Sequence, residues 1–123
     1  MDKTDPRIAT LADALRPLAK VNLEREPCDY GPKGYFDDDE TAAAVWKDYE
    51  AGNYWAWCEV CVTASYLDFT SAPYYLGGCS YDSEEDFRAD AYFSDLVDEA
   101  LNSLASTMLA AHGAVARLLH KGE

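Results

Sequence analysis

The spacing of apolar residues predicts a helix near each end of the chain. In the first helix, four apolar residues recur at intervals of 3, 4 and 3 and form one stripe: Ile8, Leu11, Leu15 and Leu18. Asp5 and Pro6 are typical of an N-cap and of the first helical position. Pro17 predicts that this helix ends near Arg16, because proline breaks the helical hydrogen-bond ladder.

Toward the C-terminus, seven apolar residues repeat at alternating intervals of 4 and 3. They are Val97, Leu101, Leu104, Met108, Ala111, Val115 and Leu118. This heptad spacing predicts a helix from about Ser94 to His120, weakened only by Gly113, which costs about 1 kcal/mol relative to alanine. We expect the seam to pack on a sheet of the same chain. Pairing with the same helix of a second copy is the alternative.

Before the middle of the chain, acidic residues predict the start of a second helix. The segment Asp37–Asp39 can cap a helix that runs from Glu40 to Glu50 and is stopped by Gly52. A brief further helix is predicted through Phe87, because Ser83 and the three acids after it resemble a capping box.

In the middle of the chain the apolar period shortens to two. From Asn53 every second residue is apolar: Tyr54, Ala56, Cys58, Val60, Val62, Ala64 and Tyr66. The opposite positions are mixed and include Trp55 and Trp57, which predicts a half-buried antiparallel strand. A return over residues 67–73 leads to a second strand, residues 74–81, whose glycine pair at 77 and 78 predicts a bulge or a close backbone contact.

These elements predict an α+β fold in a single domain that spans residues 1–123. A central antiparallel hairpin or small sheet is packed by an N-terminal helix, a short middle helix and a long C-terminal helix. The segment Lys20 to Glu24 leaves open whether a third strand joins the hairpin. The chain has 123 residues, 49% of them apolar, which is enough for one core of its own.

The amount and the distribution of charge indicate what kind of partner the surface of the protein can bind. The chain carries 23 acidic and 10 basic residues, a net charge of −13. Between Gly34 and Glu99 there are 16 acids and two bases, and all 16 aromatic residues lie between Tyr30 and Phe93. Such a balance argues against direct binding of nucleic acid or of an anionic membrane, since phosphate binding is driven by positive charge.

The chain is expected to act in the cytoplasm of a bacterial host. No apolar run approaches the ~20 residues that a membrane span needs, and the N-terminus does not resemble a signal peptide. The four cysteines are therefore expected to stay reduced.

Three candidate chemical sites each have a plainer interpretation. Cys58 and Cys61 have CxxC spacing, but on a strand they point to opposite faces, which disfavours zinc and redox chemistry. Cys79 could be a nucleophile with His112 or His120 as base, yet no strand-turn-helix nucleophile motif surrounds it. The acids at 37–40 lack the spacing of a calcium loop. The sequence predicts no catalytic residue, no metal, no cofactor and no enzymatic activity.

Acids interleaved with aromatic rings are what an interface with a basic protein would use, the rings as anchors and the acids for steering. The predicted partner-binding residues are Asp37, Asp38, Asp39, Glu40, Trp55, Trp57, Asp82, Glu84, Glu85, Asp86, Asp95, Asp98 and Glu99. The net charge of −14 between Gly34 and Glu99 exceeds the roughly 2 to 8 units that keep a small domain dissolved.

In size, charge and the acidic clusters at 36–40 and 81–87, the chain resembles the small acidic inhibitors carried by phages and mobile elements, the anti-CRISPR and antirestriction proteins, some of which mimic DNA. These families share no motif, so no residue is carried over from them. The resemblance implies a non-enzymatic inhibitor that binds a basic, nucleic-acid-binding surface of a CRISPR effector or restriction enzyme. The alternative is a structural or regulatory protein that dimerises through its long helix and has no inhibitory role.

Overall fold

The computed structural model describes residues 5–121, apart from the side chain of residue 121. Its elements are α1 (Pro6–Leu15), β1 (Lys20–Glu26), α2 (Asp39–Glu50), β2 (Cys58–Tyr66), β3 (Phe69–Thr70), β4 (Tyr74–Cys79), α3 (Glu84–Arg88) and α4 (Ala91–Lys121). One turn of 3-10 helix, Tyr54–Ala56, precedes β2. The α+β fold is confirmed: a four-stranded antiparallel sheet carries an N-terminal helix, short middle helices and a long C-terminal helix that packs on the sheet.

Strand β2 organises the sheet, because it pairs with β1, with β3 and with β4. Its residues alternate between buried and half-buried along most of its length, as the period of two predicts. Ser65 pairs with Thr70 and Tyr66 with Phe69, so Leu67 and Asp68 form a two-residue hairpin turn. Leu67 has a φ of 54° in this turn and its side chain is 77% exposed.

The structure corrects the predicted start of the central strand. Asn53 accepts a hydrogen bond from the Trp55 N–H through its side chain, and this local turn starts the 3-10 helix where sequence alternation predicts a strand. Strand β2 therefore begins at Cys58. The open question about a third strand is answered by β1, and α4 begins three residues earlier than predicted.

The chain divides into two compact units. Unit 1 contains residues 5–22, 63–74 and 97–121 of the described chain, and unit 2 contains residues 23–62 and 75–96. That residues 1–123 form a single domain stays a prediction. Within the described residues, no helix is long and apolar enough to cross a membrane.

The buried residues of unit 1 are aliphatic or small. Helix α1 contributes Ile8, Ala12 and Leu15, and α4 contributes Ala100, Leu101, Leu104 and Ala105. The heptad seam of α4 is buried only in its first part, since Val115 and Leu118 are 54% and 71% exposed. Ser71 is the buried polar residue here; its hydroxyl accepts from the Ala64 N–H and donates to the Ala72 carbonyl.

The core of unit 2 has aromatic rings around its strands. A cluster of four buried residues consists of Cys58, Val60, Cys79 and Phe87. The Phe87 ring contacts the rings of Trp55, Tyr81 and Phe93 at centroid distances of 5.0 to 5.7 Å. Such edge-to-face and stacked contacts add stability beyond the buried area.

Candidate protein-binding surface

The first acidic segment caps α2. The Asp38 carboxylate accepts a hydrogen bond of 2.6 Å from the Thr41 N–H, which makes it the N-cap. This hydrogen bond from the backbone of Thr41 lowers the pKa of Asp38. The residues around it, Asp37, Asp39 and Glu40, are exposed. Their charge is favourable at this end of the helix because the helix dipole is positive there.

The second acidic segment caps α3. The Ser83 hydroxyl accepts from the Asp86 N–H at 3.1 Å, as the predicted capping box requires. The Asp86 carboxylate reaches back to the N–H of Asp82 at 3.4 Å, one residue before the N-cap. Glu84 forms an ion pair with Arg88 at 2.9 Å, whereas Glu85 is exposed and has no cation within 4.0 Å among the described residues.

A groove of about 660 Å³ runs along α2 within unit 2. Its acidic side chains come from two elements: Asp48 from α2, and Asp82 and Asp86 from the α3 cap. Its apolar lining includes Ala44, Val45, Ala51 and Ala56, and one base, Lys47, also lines it. Its full lining is Thr41, Ala44, Val45, Lys47, Asp48, Ala51, Ala56, Ser80, Tyr81, Asp82 and Asp86. The groove therefore brings part of the second predicted acidic segment beside α2 and adds Asp48, which sequence reasoning missed.

Tyr81 lines this groove and is fixed by hydrogen bonds at both its backbone and its side chain. Its N–H donates to the Trp55 carbonyl at 2.8 Å, and its hydroxyl donates to the Asp90 carboxylate at 3.0 Å. Burial, together with the hydrogen bond to Asp90, raises the pKa of Tyr81. The phenol thus stays neutral and fixed at neutral pH.

The two tryptophans expected to face a partner support other rings instead. Trp57 is 1% exposed, and its indole N–H donates to the Tyr30 carbonyl at 2.8 Å. Trp55 is half-buried and stacks on Phe87. Both residues lie before β2 rather than on its outer face, so the strand geometry assumed for them is wrong.

One exposed aromatic surface is made by Tyr30 and Tyr35, whose rings contact Trp57, and we name it the tyrosine platform. Their rings stack with centroids 5.1 Å apart and planes 12° apart, and they are 43% and 59% exposed. Trp57 meets both rings edge-on, at 6.2 and 5.4 Å. The sequence signal for this platform is the glycine pair 77–78, which predicts a bulge or a close backbone contact.

Because Gly77 and Gly78 have no side chains, the tyrosine platform can pack closely against strand β4. A Cβ at Gly77 would lie 2.6 Å from the Tyr30 hydroxyl oxygen, closer than real side chains allow. A Cβ at Gly78 would meet Trp57 at 3.4 Å and Tyr35 at 3.7 Å, and Gly78 has a φ of +67°, which favours glycine. The predicted close contact at these glycines is therefore confirmed.

The last three predicted partner-binding acids divide between the units. Asp95 is exposed on the part of α4 that belongs to unit 2. Asp98 and Glu99 belong to unit 1, where Asp98 pairs with Arg16 at 2.8 Å. Glu99 lines a cavity of about 430 Å³ with Ile8, Ala9, Tyr74, Asn102, Ser103 and Ser106. The structure thus assigns these two acids to a different unit from the acidic segments.

Nearly all of the net charge belongs to unit 2. It contains 16 acids and four bases, a net charge of −12, whereas the described residues of unit 1 contain five acids and five bases. Fourteen of the 16 acids are exposed, and Glu59 and Asp90 are half-buried. Among the described residues of unit 2, the one ion pair within 4.0 Å joins Glu84 to Arg88. The acidic field is therefore left largely uncompensated by the chain itself.

The cysteines are packed as thiols. None of the four forms a disulfide, and Cys58 and Cys61 alternate between the buried and half-buried sides of β2. Burial raises the pKa of Cys58 to about 11 and that of Cys79 to about 12, which disfavours the reactive thiolate at neutral pH. Within residues 5–121, no cluster of three or more His, Cys, Asp or Glu side chains has the arrangement of a metal site.

Comparison with protein-family models, with curated proteins and with solved structures finds no match to this chain.

Proposed function

We propose that the protein is a non-enzymatic inhibitor that binds a basic, nucleic-acid-binding surface of a bacterial defence complex, a CRISPR effector or a restriction enzyme, in the host cytoplasm. Unit 2 makes the contact. Its exposed carboxylates take the place of the phosphates that the partner surface normally binds, and inhibition is steric and electrostatic.

The observation that carries this proposal is the uncompensated charge of unit 2. A net charge of −12 on these 62 residues, with a single internal ion pair, leaves the carboxylates available to cations of another molecule. Duplex DNA presents one charge per ~1.7 Å of axis, and a groove shaped for that polyanion also attracts a dense array of carboxylates.

The groove along α2 places some of these acids on a concave surface. Asp48, Asp82 and Asp86 line the groove together with apolar side chains such as Ala44 and Val45, so a basic side chain could place its aliphatic stem against the apolar residues and its charge among the acids. Such an arrangement favours a partner segment that carries several basic residues over a single metal ion.

The test is capture of partners from a bacterial lysate with the purified protein, at low and at high salt and with or without duplex DNA. We expect the captured proteins to bind nucleic acid, to be released by high salt, and to be displaced by the DNA competitor. Capture that resists both salt and DNA would contradict the proposal, since it would indicate an apolar interface.

A second candidate function rests on the exposed end of the α4 seam. Val115, Leu118 and Leu119 are 54%, 71% and 69% exposed, which is the surface that a homodimer through the long helix would bury. Under this candidate the acids only keep the protein dissolved. Sedimentation of a Leu118→Lys variant separates the two: loss of a dimer with partner capture intact would remove dimerisation from the mechanism, whereas a wild-type dimer that captures no partner would favour dimerisation as the function. A charge at Leu104 would not serve, because Leu104 is fully buried.

A further inference from the structure

We propose that the tyrosine platform, Tyr30 and Tyr35, is the anchor point of the interface and binds an arginine side chain of the partner by stacking. This inference rests on the proposed function, since it names the group that the acidic unit recognises. Arginine is suited to such a site because its planar guanidinium stacks on aromatic faces and is more weakly hydrated than an ammonium group.

The platform is exposed but rigid. Tyr30 is tied to the core at its carbonyl, which accepts the Trp57 indole N–H, and the Tyr35 N–H donates to the Pro32 carbonyl at 3.0 Å. Trp57 supports both rings from below and is itself buried. Exposed aromatic side chains that lose little entropy on binding are typical anchors of protein interfaces.

The glycine pair shows that the rest of unit 2 accommodates these rings. Two adjacent glycines in a strand weaken it, because each lacks a side chain to pack and loses more entropy on folding. A Cβ at Gly77 would overlap the Tyr30 hydroxyl, whereas a Cβ at Gly78 would reach Trp57 and Tyr35 at ordinary contact distances, so both positions lie against the platform and the ring that supports it. The strand therefore has two residues of low β-propensity at the place where the two exposed rings pack against it.

Unit 2 already binds guanidinium groups in this way. The Arg25 guanidinium lies 5.4 Å from the Tyr54 ring centroid and 5.9 Å from that of Trp55, and Arg88 lies 5.2 Å from Phe93. No such cation lies over Tyr30 or Tyr35 among the described residues. The platform therefore has the same chemistry with its cation position open.

The edge of the platform is acidic. Glu59 is half-buried on β2, and its carboxylate lies 3.9 Å from the point that a Gly77 Cβ would occupy, beside the Tyr30 hydroxyl. A guanidinium over the rings could donate to a carboxylate at this edge. Interaction with the Tyr35 hydroxyl, followed by burial, raises the pKa of Tyr30 to about 12, so the ring stays neutral. A nucleobase could also stack on two tyrosines, but its phosphates would be repelled by the charge of unit 2.

The test compares two capped peptides of the same length and charge, an arginine–glycine repeat and a lysine–glycine repeat, titrated into the full-length protein at low salt. We expect the arginine peptide to bind about three- to fivefold more tightly. The Tyr35→Leu variant should remove this difference, and Tyr35→Phe should keep it because the ring is retained. Tyr92→Leu is the control, since Tyr92 is 59% exposed in the same unit.

A second variant tests the geometry without removing a ring. Gly77→Ala puts a methyl group against the Tyr30 hydroxyl, at a position with no backbone strain, and should also remove the preference for arginine. Gly31→Ala is its control, because nothing lies within 4 Å of a Cβ there.

Three outcomes contradict the inference. Salt-sensitive binding of both peptides with equal affinity, unaffected by Tyr35→Leu, overturns the platform and leaves the proposed function standing. Binding of neither peptide overturns the proposed function as well. Tighter binding of an oligothymidylate than of the arginine peptide overturns both, because it makes the platform a base-stacking site for nucleic acid.

Discussion

Units 1 and 2 belong to one chain, yet their surfaces are opposite in character. The described residues of unit 1 balance five acids with five bases, and its large exposed apolar residues are aliphatic: Leu18, Leu67, Val115, Leu118 and Leu119. Unit 2 has a net charge of −12, and its large exposed apolar residues are aromatic: Tyr30, Tyr35, Trp46, Tyr54, Tyr75 and Tyr92. One fold thus carries two unlike surfaces.

The difference indicates that the acidity of unit 2 is not a requirement of the fold. Unit 1 contains helices and strands with no net charge on its described residues. A high net charge destabilises a compact state by self-repulsion, so unit 2 carries a cost that unit 1 avoids. Self-repulsion confined to one unit is better explained by a molecule that this unit binds than by solubility. A net charge of roughly 2 to 8 units would already keep the whole chain dissolved.

The largest expected effects come from emptying the two cores. Phe87→Ala should lower the free energy of unfolding by about 3–5 kcal/mol, because a fully buried ring with three aromatic neighbours is removed. Leu104→Ala, in unit 1, should lower it by about 2–5 kcal/mol. Denaturant unfolding gives both values, and hydrogen exchange should place the first loss mainly in the amides of unit 2 and the second mainly in those of unit 1. Identical exchange patterns would show that the two units open as one.

Reversing charges in one unit or in the other should have the next largest effect, on the rate of association with a basic peptide. Glu40→Lys with Glu85→Lys in unit 2, and Asp13→Lys with Asp68→Lys in unit 1, change the net charge equally, and all four side chains are exposed. At low salt, the unit 2 pair should slow association with a lysine–glycine peptide by roughly tenfold, because steering depends on the local field. Stopped-flow association rates measure this. An equal loss in both double variants would mean that net charge, and not its location, controls binding.

Most of the fold could be predicted from the sequence because its signals are local and repeated. The stripe of α1, the alternation of β2 and the heptads of α4 each bury residues that their period indicates, such as Leu15, Val60 and Leu104. The ends of these patterns are exposed, as at Leu18 and Leu118. The prediction was wrong where a single side chain overrode the period: the Asn53 side chain bonds the Trp55 N–H and turns the start of the strand into a 3-10 helix.

The candidate site could be predicted less well, because it depends on contacts between distant residues. The acidic segments were visible as runs along the chain. That Asp48 shares a groove with Asp86, and that Asp98 is neutralised by Arg16, follows only from tertiary packing. The tyrosine platform lies in a loop and packs on a strand more than forty residues away. The glycine pair 77–78 is the local sequence signal for this contact.

Acid affects both units in the same way through their helix caps. Asp5 caps α1 and Asp38 caps α2, and hydrogen bonds from Arg7 and Thr41 lower the pKa of each carboxyl below its usual value of 3.8. A depressed pKa stabilises the fold above the usual value, and this contribution is lost as the pH falls through the folded pKa. Melting temperatures between pH 5 and 2.5 should therefore fall more for the wild type than for Asp5→Asn or Asp38→Asn. The reduction in slope should be similar in the two variants; a reduction in Asp38→Asn alone would separate the units in their response to acid.

Salt should separate the units by the smallest effect. Two exposed like charges ~10 Å apart in water repel by about 0.4 kcal/mol, a factor of about two in an opening equilibrium. Raising the salt concentration from 0.01 to 0.5 M shortens the screening length well below that distance. Amides of unit 2 should therefore exchange about twofold more slowly at high salt, while those of unit 1, with balanced charges, should change little. The Glu40→Lys, Glu85→Lys variant should lose part of the effect, because the net charge of unit 2 changes from −12 to −8. If unit 1 slowed as much as unit 2, the stabilisation would come from a general effect of salt on apolar burial, and the charge of unit 2 would impose no cost that a binding partner needs to explain.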